Sequence, residues 1–331
     1  MKKRMMCLVL MVLCVLLTGF VPGVFAGEKE LKLASWGSPK HYGSIELTKW
    51  IADVNAAAAG KVKIVDYPGG QLYGPSEMHM ALAKGAVDMG VTLQPAMMAM
   101  VPMLQGVYLP FAFDNLDHAA KAYTGESLAI IEKAMEKKRI KYVWTIFGDG
   151  VHLYSAKKSI ESVDDLKGLR ILSSSPVITR IFADLGAAPD SSIPNTELYM
   201  ALKRGVSDAM ANSIVGGFFA KSYEVAPYVT KMDMSFATMM ICMNLNQWNK
   251  LPKDVQEVMR DLGEKASAST VASGKAWETK FTDEMVKVGG IVTRIPDEER
   301  AKIKKVSQGL WDEWAKENGP DAKRLLELNA N

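Results

Sequence analysis

The sequence predicts an α/β protein built as two similar lobes with a ligand cleft between them. Three observations lead there: an internal repeat, an alternation of strand and helix patterns, and no low-complexity linker that would separate independent domains. The stretch Glu77-Met78-His79-Met80-Ala81-Leu82-Ala83-Lys84-Gly85-Ala86-Val87-Asp88 returns 120 residues later as Glu197-Leu198-Tyr199-Met200-Ala201-Leu202-Lys203-Arg204-Gly205-Val206-Ser207-Asp208. Each copy reads as a helix stopped by glycine, which enters the left-handed region without strain, then a short strand opened by aspartate. One supersecondary unit used twice implies two related lobes, and small ligands settle in the cleft between lobes.

The elements follow in order. Residues 1–26 carry the basic start Lys2-Lys3-Arg4, an apolar run Cys7–Leu17 and a small-residue site ending at Ala26. That is the pattern of a cleaved secretory signal. Its apolar run of eleven is too short for a membrane anchor, since a spanning helix needs about 20 residues. Removal would leave 305 of the 331 residues, with formal net charge near zero because the three lost basic residues equal the stated excess. A neutral chain argues against nucleic acid or an anionic membrane as partner. Cys242 would be the only cysteine left, in the apolar run Met239–Met243, and is expected to be buried and structural.

Residues 31–35 alternate as a first strand. Leu47, Trp50, Ile51 and Val54 share one face of a helix. Residues 61–65 form a second strand, and Tyr67-Pro68-Gly69-Gly70 a turn. The first repeat copy follows, then an aromatic loop at 109–113, one long charged helix over about 115–138, and an apolar strand over 140–147. This β-α-β-α order predicts parallel strands covered by helices. Gly148-Asp149-Gly150 is expected to be a crossing between lobes, with a strand over 151–155 beyond it. Ser162–Asp165 starts a short helix as a capping box, residues 169–173 form a strand, and Ser175-Pro176 starts another helix. The second repeat copy comes next. From Lys250 the chain is mostly helical, broken by Gly289-Gly290 and a strand over 291–295.

Catalytic signatures are missing: no Gly-x-Ser-x-Gly, no phosphate loop, no His-Glu-x-x-His and no Cys-x-x-Cys occurs. His41, His79, His118 and His152 are scattered singly. Asp114, Asp117 and His118 imitate a metal cluster but stand at a helix start, where acidic groups meet the positive helix end. Met97, Met98, Met100 and Met103 suit adaptable core better than a soft-metal site. No cofactor and no metal is predicted, and an enzyme is not expected.

Several runs together carry a family resemblance. Asp165-Leu166-Lys167-Gly168-Leu169, Leu185-Gly186-Ala187-Ala188-Pro189, the second repeat copy and Ser222-Tyr223-Glu224-Val225 are similar to TRAP transporter solute-binding proteins. Tyr67–Leu72, Leu109-Pro110-Phe111 and Trp248–Pro252 extend the similarity over nearly the whole mature chain. The resemblance implies a periplasmic binding protein type II-like arrangement with a long helix bracing both lobes. The first lobe would hold about 27–150 and part of 236–290, the second about 151–235 and the C-terminal helical segments. It also implies a periplasmic receptor that closes over a small organic solute, usually a carboxylate. The receptor would deliver it to membrane permease subunits driven by an ion gradient.

The family's anchor arginine falls on Leu172 here, with Arg170 two residues earlier; its other ligand positions fall on His152 and Asn212. Three outcomes stay open. Arg170 anchors a carboxylate or sulfonate, whose geometry its planar fork fits; Arg180 does so; or the solute is not anionic. In the last case His152, Asn195 and Asn212 would bind hydroxyls or amides, Trp36, Tyr73, Met97 and Phe218 would form an apolar or aromatic wall, and Asp233 could favour an amine. A slight preference for an organic acid or sulfonate follows from the family. A sensor partner instead of a permease also stays open.

Overall fold

The computed structural model of the chain describes residues 27–330 except Ser174 and 194–196. The expected signal segment 1–26, and Asn195, lie outside the described residues.

Each lobe is a β-α-β-α-β unit. In the first, β1 (Lys29–Ala34), α1 (Tyr42–Ala57), β2 (Val62–Tyr67), α2 (Met78–Lys84) and β3 (Met89–Leu93) place the strands in the order β2-β1-β3, all parallel. A four-residue α3 (Gln94–Met97) and a 3-10 turn (Pro102–Val107) follow. The expected single helix over 115–138 is two, α4 (Leu116–Lys121) and α5 (Gly125–Glu136). The break comes at Thr124, which is extended, and Gly125, whose φ of 54° an L side chain resists.

The chain then enters β4 (Ile140–Ser155), sixteen residues that are buried throughout. Gly148-Asp149-Gly150 does not interrupt this strand; it bulges it, and the register against β9 shifts between Phe147 and Gly150. The second lobe repeats the first. Its elements are β5 (Arg170–Leu172), α6 (Pro176–Asp184), β6 (Ala188–Asp190), α7 (Leu198–Lys203) and β7 (Ala209–Ser213), ordered β6-β5-β7 and again parallel. α8 (Ile214–Phe219) and β8 (Tyr228–Lys231) follow, and β9 (Phe236–Asn244) returns to the first lobe antiparallel to β3 and β4.

The repeat has a physical reason. Gly85 and Gly205 take φ of 74° and 68°, and in both copies the last helical carbonyls are closed by the same pair of backbone bonds. Ala81 and Leu82 are buried, as are Ala201 and Leu202, while Met80 and Met200 are both exposed. Asp88 accepts the backbone N–H of Lys32 in β1 at 2.9 Å; Asp208 accepts that of Arg170 in β5 at 3.2 Å. The recurring aspartate therefore ties the third strand of each unit to its first.

A short α9 (Leu245–Asn249) leads to the brace, α10 (Lys253–Lys287), of 35 residues, or about 52 Å at 1.5 Å per residue. It packs on α1 of the first lobe, on β4, and on α8 of the second. β10 (Ile291–Arg294) pairs with β8. The C-terminal helices α11 (Asp297–Asn318) and α12 (Pro320–Asn329) do not belong to the second lobe alone. Trp314 Nε1 donates to Pro102 O at 3.1 Å and Asn329 Nδ2 to Gly106 O at 3.0 Å, which seats the chain end on the first lobe. Cys242 is fully buried, and burial pushes its thiol up to about 12. Met97 and Met98 fill the core.

Candidate functional site

The carboxyl ends of β1, β3 and β7 converge where the lobes meet, the place where open parallel sheets bind ligands. A cavity of about 390 Å³ lies there. It is lined from the first lobe by Ser35, Trp36, His41 and Tyr42, from the crossing strand by Gly148 and Asp149, and from the second lobe by Asn212, Ser213 and Phe219. A side chamber of about 100 Å³ shares Asn212, Ser213, Ala237 and Thr238 with it and reaches Ser173 and Ser175. A larger hollow of about 750 Å³ lies between α4, α5, β4 and α10. It touches no second-lobe unit, so the smaller cavity is the candidate site.

Local bonds fix the lining. Trp36 Nε1 donates to Val91 O at 2.9 Å, which holds the indole across the end of β3. The Tyr42 hydroxyl donates to Phe147 O at 2.7 Å, beside the crossing. His41 caps α1 by accepting from Gly43 N at 3.0 Å, and burial lowers its pKa to about 4, so it is neutral at neutral pH. Asn212 Oδ1 accepts from Ser213 N at 2.9 Å, and Ser213 Oγ from Gly216 N at 3.0 Å.

Asp149 is the ionisable floor of the cavity. Its side chain is buried, and Oδ2 accepts from Val215 N at 3.0 Å, so the crossing strand caps the helix that opens the second-lobe wall. Burial pushes its pKa up to about 6, with nearby His152 opposing and Glu278 adding to the rise. Among the described residues, no lysine or arginine lines either chamber.

An aromatic array closes one side. Tyr42 meets Trp277 of α10 edge-on at 5.2 Å; Phe219 stacks on Trp277 at 6.1 Å and lies 5.9 Å from His41. These contacts join both lobes and the brace.

Of the residues singled out in the sequence, Trp36 and Asn212 line the cavity. Arg170, whose anchoring was one of the three outcomes left open, does not line it. It starts β5, at the end of the sheet away from the cleft. Its Nε and Nη2 grip Asp208 at 3.0 and 2.8 Å, and this pairing holds the Asp208 carboxyl far below the usual range. Leu172 is buried in the second core. Arg180 is on the outer surface with Asp184 and Glu313. His152 is fully buried behind the crossing: Nδ1 accepts from Met232 N and Asp233 N at 3.2 and 3.3 Å, and Nε2 faces Glu278 at 3.8 Å. Asp233 is paired with Arg294 and Glu278 with Lys231, so this trio of possible metal ligands is an ion network already supplied with cations. Phe218 turns to Phe281 and Tyr223 outside the cavity, and Tyr73 is half-buried against the first core. Met97 is core.

Sequence reading passed over Asp149, His41, Tyr42 and Phe219. The signal for Asp149 was present, an acid between two glycines at a lobe crossing. The other three have no motif, because distant segments bring them together.

Comparison with known proteins places the geometry among relatives. The model of the bacterial extracellular solute-binding proteins, family 7, matches residues 33–318. A solute-binding protein of Sulfitobacter sp. (strain NAS-14.1) is 31% identical over 304 residues, covering 91% of this chain and 90% of its own. The C4-dicarboxylate-binding periplasmic protein DctP of Rhodobacter capsulatus is 29% identical over 272 residues, 79% of each chain. Among solved structures, a TRAP periplasmic solute-binding protein from Sulfitobacter sp. NAS-14.1 with bound α-D-taluronate superposes with TM-score 0.83 at 29% identity, over 91% of this chain and 97% of that one.

Proposed function

The chain belongs to family 7 of the bacterial extracellular solute-binding proteins, and from that premise we propose that it is the periplasmic receptor of a TRAP transporter that closes its lobes over a small organic acid. Its relatives are solute-binding receptors, not enzymes. The observation that carries the reading is the cavity at the carboxyl ends of strands from both lobes, lined jointly by Trp36, Asn212 and the crossing residue Asp149. Relatives bound to a uronate or named for C4-dicarboxylates support the acid class. A solute that touches both lobes favours the closed form by its differential affinity, and the closed receptor then hands it to membrane permease subunits.

Thermal unfolding with uronates, aldonates, C4-dicarboxylates and the amino-substituted counterparts of these acids tests the reading. A bound acid at a hundred times its Kd adds about 2.7 kcal/mol of native-state stability, so at least one of these acids is expected to raise the melting temperature by several degrees. No shift with any of these acids counts against the acid class. Uptake by reconstituted permease subunits that does not depend on the receptor would refute the delivery role.

A further inference from the structure

The cavity has the chemistry of a cation site rather than of a bare carboxylate site. Its one buried acid, Asp149, is 1% exposed. Its carboxylate is held by backbone N–H groups, that of Val215 at 3.0 Å and its own. No lysine or arginine among the described residues lines the cavity to neutralise it. Lys231 is committed to Glu278, and Arg294 to Asp233 at 3.0 Å. Trp36, Tyr42 and Phe219 line the same space. A buried carboxylate among aromatic rings is the environment that stabilises a positively charged nitrogen, by ion pairing and by attraction to the ring quadrupoles.

A solute with only negative charge would meet the opposite situation. Its carboxylate would enter a low-dielectric space that already holds an acid and has no guanidinium to pair with. Like charges in such a space repel strongly. Leu172 of β5 is buried in the core, and Arg170 is locked to Asp208 at the end of β5 away from the cleft.

We propose that the solute is an acid that also carries an ammonium group, with the nitrogen seated against the Asp149 carboxylate among Trp36, Tyr42 and Phe219. The acid end is left to neutral donors, of which Asn212, Ser38 and Ser44 line the same cavity. This inference rests on the receptor reading and narrows its solute class.

Calorimetric titration of the purified chain with matched pairs tests it: phenylalanine against 3-phenyllactate, and glucosaminate against gluconate, with glucuronate as a nitrogen-free acid. Each pair differs only in ammonium for hydroxyl. The amino member of at least one pair is expected to bind about tenfold or more tighter than its hydroxy partner. The D149N protein, whose amide oxygen still accepts from Val215 N, is expected to lose that difference while keeping an unchanged circular dichroism spectrum. Equal or tighter binding of a hydroxy acid or of glucuronate, or an amino preference that survives D149N, overturns the inference and leaves the acid-receptor reading standing. Silence from all five compounds with the folded protein overturns the inference and the acid reading together.

Discussion

At the scale of single residues, Asp149 and His41 set the response to pH. Burial pushes the Asp149 carboxyl up to about 6 in the folded chain, against an ordinary 3.8. The native state therefore binds its proton more tightly, and stability falls as pH rises from about 4 to 6. The shift corresponds to about 3 kcal/mol. His41 runs the other way. Its folded pKa of about 4 against 6.5 means that the unfolded chain binds the proton first, so stability rises over nearly the same window. The groups around Asp149 are His152 on its own strand, Glu278 on the brace, and the buried hydroxyls of Tyr42 and Tyr154. Burial raises the Glu278 pKa, but His152 and Lys231 outweigh it and hold the carboxyl at about 2, so its contribution changes only below about 4.5. The unmodified chain should thus show a nearly level melting temperature between pH 4 and 6. The D149N chain should melt higher at pH 7 and gain stability as pH rises from 4 to 6.5, as differential scanning calorimetry would record. A level D149N profile would show that the two groups do not oppose each other. Arg170→Ala is expected to lower the melting temperature, by releasing Asp208, and to leave solute affinity unchanged in calorimetry.

At the scale of elements, the repeated helix stop is the feature to test. Gly205 has a φ of 68° and open space where a Cβ would stand. Its replacement by alanine therefore reports conformation alone, at about 1 kcal/mol in urea unfolding. Gly85 has the same backbone but Asn244 Nδ2 lies 3.4 Å from the added Cβ, so G85A should cost at least as much. A G205A protein as stable as the parent would mean that the left-handed stop is not what ends this helix. The aspartates that follow the two stops were legible as a pattern, and their task was not. Each accepts a backbone N–H from a strand 38 or 56 residues earlier, a partner that only the folded sheet brings near.

At the scale of the whole molecule, β4 and α10 make two lobes act as one unit. β4 pairs with first-lobe β9 and with second-lobe β7 and β8, and α10 packs on both lobes. Trp277 on that brace touches Tyr42 from one lobe and Phe219 from the other. Removing the indole takes away contacts that link a residue of each lobe through the brace, worth about 1–3 kcal/mol for a pair of aromatic contacts. W277A should therefore shift the unliganded chain toward open forms. Small-angle scattering should show a larger radius of gyration, and solute affinity should fall about tenfold. An unchanged radius together with unchanged affinity would mean that the aromatic array does not hold the lobes together.

What the sequence determined by itself was local and repetitive: the strand and helix order of the first β-α-β-α-β unit, the duplicated helix stop, and the family. Each depends on hydrophobic period or backbone freedom, which neighbours in sequence settle. What only the tertiary structure decided was the lining of the cleft. Alternation in sequence put Arg170 and Leu172 on one face of β5, but the direction of the strand carries Arg170 to the end remote from the cleft, where Asp208 holds it. His41, Asp149 and Phe219 meet because α1, β4 and α8 end at the same place. Charge acts through distance in space, and the distances that matter here lie between segments about 70 to 180 residues apart in the chain.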